Sequence, residues 1–346
     1  ILNTQYPILY KKMKRILIVR TDRVGDVVMI TPMIRELRKS FPDAFIATLT
    51  NTNTQDILIN NPHLNQIIAD DLSKNSFYSV TAKLREFNFT DGLLVMPTER
   101  AAYQMFLGGV KNRIGVGRKL YEVITLMKTV SRNKYIPLRH EADYCMDLAR
   151  KIGVVTDDLT PEIYITAEEK KTGMEILRSF NVSESDMKII VHTGSGKSSS
   201  NWSEDKYSEL IKRIIDKYSS AKIILTAKEM SDNFKANIIS LNSNNIVFPD
   251  QHIKRLRDLI RIISNTDLLI APSTGPLHIA SALKIKTIGL FCHRRMNCAK
   301  HWGALGSKAV NLEVSKGFCD ANCSPDKETC MFEDGISVEE VLNNIP

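Results

Sequence analysis

Three short segments combine the residue types that proton transfer and phosphate binding need. The first is Thr21-Asp22-Arg23-Val24-Gly25-Asp26. A carboxylate there can take a proton from a bound hydroxyl, or can serve only as the cap of a following helix. Lying at a helix start, Asp26 is expected to stay ionised and to be a weak base. The second segment is Thr193-Gly194-Ser195-Gly196-Lys197-Ser198-Ser199-Ser200-Asn201-Trp202. Its small residues expose backbone N–H groups and Lys197 adds a positive charge, a combination suited to phosphate. It is not an ATPase P-loop: that motif needs glycine five residues before Gly196, where the chain has Val191. The third segment is Ser273-Thr274-Gly275-Pro276-Leu277-His278. Pro276 favours a helix start, which leaves the Leu277 and His278 N–H groups free for an anion. The Ser273, Thr274 and His278 side chains add further donors.

Each segment follows an aliphatic run of strand length. Such runs cover residues 15–20, 44–49, 66–69 and 91–96, and helix-like stretches fall near 26–39, 53–60, 74–87 and 140–152. After a linker at 160–166 that contributes a short strand, the alternation restarts. Strands are expected at 187–192, 221–226, 267–271 and 286–291. Between them lie helices at 167–180, 204–218, 229–240, 253–264 and 276–284. Repeated β-then-α alternation predicts α/β architecture, with two doubly wound, Rossmann-like domains facing an interdomain cleft. The expected units are 13–160, 161–336 and a C-terminal helix within 337–346 that packs back toward the N-terminal domain.

Charge separates the two halves. Residues 1–150 hold 22 Lys and Arg against 14 Asp and Glu, a net +8, whereas residues 151–346 hold 25 of each. An electropositive half attracts an anionic partner. Nucleic acid is not the expected partner, because no basic motif interleaved with aromatics is present. No apolar run reaches the roughly 18 residues that a membrane span requires. Residues 1–12 precede Met13 without the pattern of an export signal and read as an extension. A cytoplasmic protein is expected. Cys298, Cys319, Cys323 and Cys330 are the only conceivable metal set; the 319–323 spacing suits zinc but the rest is irregular. The expectation is that no metal is bound.

Residues 15–32 (RILIVRTDRVGDVVMITP) and 273–282 (STGPLHIASA) resemble the heptosyltransferases of glycosyltransferase family 9. Residues 195–202, Glu229 and residues 337–344 fall in the same family order, so the likeness runs from Met13 onward. The resemblance implies a GT-B fold and an inverting transfer that needs no metal or other cofactor. It implies Asp26 as the general base and Thr21, Asp22, Arg23 and Gly25 as acceptor-binding residues. Thr193, Ser195, Lys197, Ser200, Asn201, Glu229, Ser273, Thr274, Gly275, Pro276, Leu277 and His278 would bind the donor. Glu229 would hold the nucleotide ribose. The donor implied is ADP-heptose or a related ADP-sugar, and the acceptor is the anionic, Kdo-containing inner core of lipopolysaccharide. Peripheral contact with the inner membrane is expected separately, from the basic first half. Two positions depart from the family pattern: Ser200 stands where many members have Lys, and Ser273 where many have Asp. A sugar-nucleotide epimerase of the same architecture and a non-catalytic nucleotide-sugar-binding protein are the competing readings.

Overall fold

The computed structural model describes residues 13–117, 119–196, 199–227, 229–241, 244–324 and 330–346. Residues 1–12 and Lys197 lie outside these described residues. The first sheet contains β1 (Arg15–Val19), β2 (Phe45–Asn51), β3 (Gln66–Asp70), β4 (Asp91–Leu94), β5 (Asn112–Val116) and β6 (Lys128–Val130). The second contains β7 (Lys188–His192), β8 (Lys222–Thr226), β9 (Ile246–Val247), β10 (Leu268–Pro272), β11 (Lys286–Phe291) and β12 (Ala309–Glu313). Every pairing is parallel. The orders are β3-β2-β1-β4-β5-β6 and β12-β11-β10-β7-β8-β9. Numbered from its own first strand, the second sheet repeats the order of the first. Each therefore reverses direction beside its first strand, where doubly wound sheets place their ligands.

The central strands are aliphatic because helices cover both their faces. β1 is buried from Ile16 onward, and β7 and β10 throughout. The strands absent from the sequence reading lie toward the sheet edges, or, like β5, carry polar residues. In β6, Lys128 and Thr129 are exposed. The helix expected near 26–39 is two helices, Val24–Val28 and Thr31–Ser40. Pro32 sits in the first turn of the second, where its missing N–H costs nothing. The helix expected at 53–60 is a single 3-10 turn, Gln55–Ile57, and the linker 160–166 contains no strand.

The C-terminal helix, Val338–Leu342, does not return to the N-terminal half. Its Val338, Val341 and Leu342 join Tyr207, Leu210, Ile211 and Ile214 in the apolar cluster of the second sheet. Helix Glu204–Lys217 offers an apolar stripe there, so the helix buries its own stripe on the nearest partner.

One apolar cluster runs through both halves. It joins Ile30, Met33 and Val28 from the first to Leu277, Ile279 and Ile260 from the second. Fully buried Arg257 fastens the same junction. Its guanidinium donates to the Asp56 carbonyl at 3.0 Å, the Tyr164 carbonyl at 2.7 Å and the Glu169 carboxylate at 2.7 Å. Its backbone N–H donates to the Asp56 carboxylate at 2.9 Å.

Candidate active site

The turns after β1 and β10 meet face to face. Gly25 and Gly275 are glycines because nothing larger fits between them: a Cβ on Gly25 would lie 2.9 Å from the His278 ring, and one on Gly275 would lie 2.8 Å from Val24. Two cavities open at this contact, and Arg23, Gly25 and Gly275 line both. The smaller, about 220 Å³, is also lined by Asp26, Ser199, Ser273, Thr274, His278, Met296, Asn297 and Trp302. The larger, about 890 Å³, takes in Ser195, Glu229, Lys235, His192 and Pro276. Together they give a polar end and a roomy end, the second within the size range of sites for drug-sized ligands.

Asp26 is largely buried and bonded to the guanidinium of Arg20. Arg20 also meets Asp22 at 2.8 Å and Glu141 at 2.9 Å, and Glu141 meets Arg132 at 3.2 Å. Two arginines thus face three carboxylates. Burial raises the Asp26 carboxyl to about 6, Asp22 and Glu141 push it the same way, and Arg20 opposes them. The expectation of a weak, always ionised base is therefore corrected: desolvation outweighs the helix end, and Asp26 titrates near the range where a general base works best. Glu141 behaves oppositely. Burial alone would raise it, but Arg20 and Arg132 hold it below the usual carboxylate value.

His278 is fully enclosed. Burial, reinforced by the neighbouring His140, lowers its pKa to about 3, so the ring is neutral. Its Nδ1 and the Ser199 hydroxyl are buried without a partner among the described residues. Both belong to the smaller cavity, and orphaned buried polar atoms call for an explanation such as an absent ligand. The backbone differs in part from expectation. The His278 N–H donates weakly to the Thr274 carbonyl at 3.4 Å, whereas no side chain caps helix Gly275–Ala282. Among the described residues the Leu277 N–H has no acceptor, so it remains available at the helix end.

Other expected residues serve the scaffold. Leu277 is wholly buried in the apolar cluster that spans the halves. Asn201 donates to the Thr193 carbonyl at 2.6 Å and accepts from the Tyr207 hydroxyl at 2.7 Å, which fixes the second turn. Thr193 is buried there. Ser200 lies 3.9 Å from the Cys330 thiol. Thr21 and Asp22 line neither cavity; Asp22 instead pairs with Arg20. Ser195, Glu229, Ser273, Thr274, Gly275, Pro276, Arg23 and Gly25 do line them.

The sequence reading missed Arg20, Glu141, Lys235 and Trp302. Arg20 and Glu141 are 121 positions apart and meet only in the fold. The four cysteines do not gather: Cys298 donates to the Arg295 carbonyl, and Cys319 interacts with Cys323. Among the described residues no group of three or more His, Cys, Asp or Glu side chains is arranged to hold a metal ion.

Residues 77–332 match the model of glycosyltransferase family 9 (heptosyltransferase), well over half of the chain. A Haemophilus influenzae protein named "Putative glycosyltransferase" is 26% identical over 96% of both chains. Lipopolysaccharide heptosyltransferase 1 of Campylobacter coli is 21% identical over 80% of this chain and 83% of its own. Among solved structures, E. coli ADP-heptose lps heptosyltransferase II superposes with a TM-score of 0.76 at 17% identity, covering 96% of this chain and 97% of that one. The shared two-sheet architecture is the GT-B fold. With its strand order, its cavities at the sheet reversals and its match to the family model, the chain belongs to glycosyltransferase family 9, the heptosyltransferases, and is a glycosyltransferase.

Proposed function

We propose that the protein moves a heptose or related sugar from an ADP-sugar to the anionic inner core of lipopolysaccharide, with inversion and without a metal. The observation that carries this reading is the smaller cavity, where a largely buried carboxylate with a raised pKa shares walls with two unpartnered polar atoms. The choice of donor and acceptor class is supported by the names of the Campylobacter coli relative, for lipopolysaccharide, and of the E. coli structure, for ADP-heptose.

The acceptor hydroxyl enters beside Asp26. Its oxygen forms a bond to the anomeric carbon as the bond from that carbon to the diphosphate breaks. The hydroxyl proton passes to the Asp26 carboxylate, and ADP leaves with the electron pair. The transition state is oxocarbenium-like, as in glycoside hydrolysis. Arg23, which borders both cavities, faces the growing negative charge. Glu229 and Ser195 in the larger cavity hold the nucleoside end. Arg20 keeps Asp26 oriented and limits the rise of its pKa.

The deciding experiment is a panel of nucleotide sugars offered with lipid-A-linked inner core, read by nucleotide release and product mass. ADP release that requires the acceptor, with a product one heptose heavier, supports the reading. Release without acceptor, or isomerisation of the donor sugar, overturns it. The chain is proposed to act at the cytoplasmic face of the inner membrane without spanning it. In keeping with that, no helix among the described residues is long and apolar enough to cross a bilayer.

A further inference from the structure

The helix Leu120–Ile124 is built inside out. Its polar residues point into the protein. Glu122 is buried and accepts from the Lys119 N–H at 2.9 Å. The Tyr121 hydroxyl donates to the Pro97 carbonyl at 2.6 Å. Thr125, just beyond, is buried and donates to the Tyr121 carbonyl at 2.7 Å. Its apolar residues point outward: Leu120 is 76% exposed, Val123 67%, Ile124 51% and Leu126 74%. A water-facing helix normally shows the reverse pattern. Isolated exposed leucines need no explanation, but four within seven residues form a patch.

The surroundings of this patch are basic. Residues 111–134 hold seven Lys and Arg against a single acid, Glu122; Arg132 turns inward to Glu141, whereas Lys111, Lys119, Lys128 and Lys134 are exposed. Glu122 is the buried one, so the surface around the apolar residues has no exposed carboxylate from its own segment. Its position in the fold matters as much. The helix begins four residues after β5 ends, on the edge of the sheet where strands deliver their carboxyl ends. β1 delivers Asp26 on that same edge, and only β4 lies between β1 and β5. Two strand spacings amount to roughly 10 Å.

We propose that Leu120, Val123, Ile124 and Leu126 form a wedge that seats in the headgroup–acyl boundary of an anionic bilayer, with the neighbouring exposed lysines as its electrostatic collar. Apolar insertion combined with basic charge is the chemistry that holds a protein on such a surface. The wedge runs along the flank of the first sheet, from the Asp26 edge at Leu120 toward the start of β6 just after Leu126. Its use in catalysis rests on the lipid-linked acceptor proposed above; the binding itself does not.

The test is co-sedimentation of the full chain with phosphatidylglycerol-rich and with pure phosphatidylcholine vesicles. It compares the wild type with the combined variant L120Q/V123Q/I124Q/L126Q and with K119E/K128E. Wild type is expected on the anionic vesicles, and the glutamine variant is expected to bind at least about tenfold less with an unchanged melting temperature. The charge variant is expected to lose binding at low salt. All three are expected to turn over a delipidated, water-soluble acceptor equally. Wild-type absence from anionic vesicles, or undiminished binding of the glutamine variant, overturns the proposal. A wild-type dimer that the glutamine substitutions dissociate, without vesicle binding, assigns the patch to a second copy instead. Wedge-dependent vesicle binding with no transfer to any acceptor leaves the wedge standing and rejects the reaction.

Discussion

The turns after β1 and after β10 occupy equivalent places in two sheets of the same strand order, yet their chemistry is opposite. Beside β1 the side chains are ionised and crowded: Arg20 meets Asp22, Asp26 and Glu141, and Arg132 joins through Glu141. Beside β10 they are neutral. Thr274 donates to its own turn at the Pro272 carbonyl, and His278 is held uncharged by burial. One fold thus sets a titrating turn opposite a turn of dipoles. The division suits a transfer in which only the acceptor loses a proton, while the donor needs a fixed cradle for charge that appears late.

The comparison breaks first at Asp26. Asp26→Asn is expected to lower kcat by about 10²–10⁴-fold, with donor affinity retained in calorimetric titration. Loss of donor binding with unchanged kcat would place the working carboxylate elsewhere. The next effect is steric. Gly25→Ala puts a Cβ 2.9 Å from the His278 ring and forces the two turns apart. It should cost about 1–3 kcal/mol in stability and reduce kcat more than it weakens donor binding, since it widens the gap across which atoms react. A third measurement reads the charge cluster. In the wild type, kcat/KM should fall as pH drops through about 6, because protonated Asp26 cannot accept a proton. Glu141→Gln removes a charge that raises the Asp26 pKa, so this acid limb should move to lower pH. An unmoved limb would show that Asp26 titrates independently of the cluster. The smallest effect is an expected constancy. With His278 near 3, donor affinity should not vary through a His278 titration between pH 5 and 8, even while turnover does.

The sequence showed these two turns unequally. The aliphatic strands β1, β7, β10 and β11 were legible because burial on both sides leaves them no polar alternation. Asp26, Ser273 and Gly275 were legible because short motifs sit at strand ends. Arg20 was not: it closes an apolar strand, and its burial depends on three carboxylates, one of them, Glu141, delivered by a distant helix. That the Asn201 side chain bonds within its own turn is not readable from the motif, because motif membership does not reveal which way a side chain turns. The helix Leu120–Ile124 was missed altogether, since its inverted pattern resembles neither an amphipathic core helix nor a strand. The C-terminal helix was misplaced because its stripe specifies an apolar partner without specifying which half provides one.

The apolar cluster shared by the halves, with Arg257 pinned across it, bears on how the chain could be divided. Severed in the linker near residue 160, neither fragment could cover the face it contributes, because those residues have their partners in the other piece. Separately produced fragments would be sticky and poorly folded, yet complementary. Mixed during refolding, they should reassemble into a functional heterodimer, which makes the junction a natural site for a split-protein reporter rather than a place to isolate independent domains.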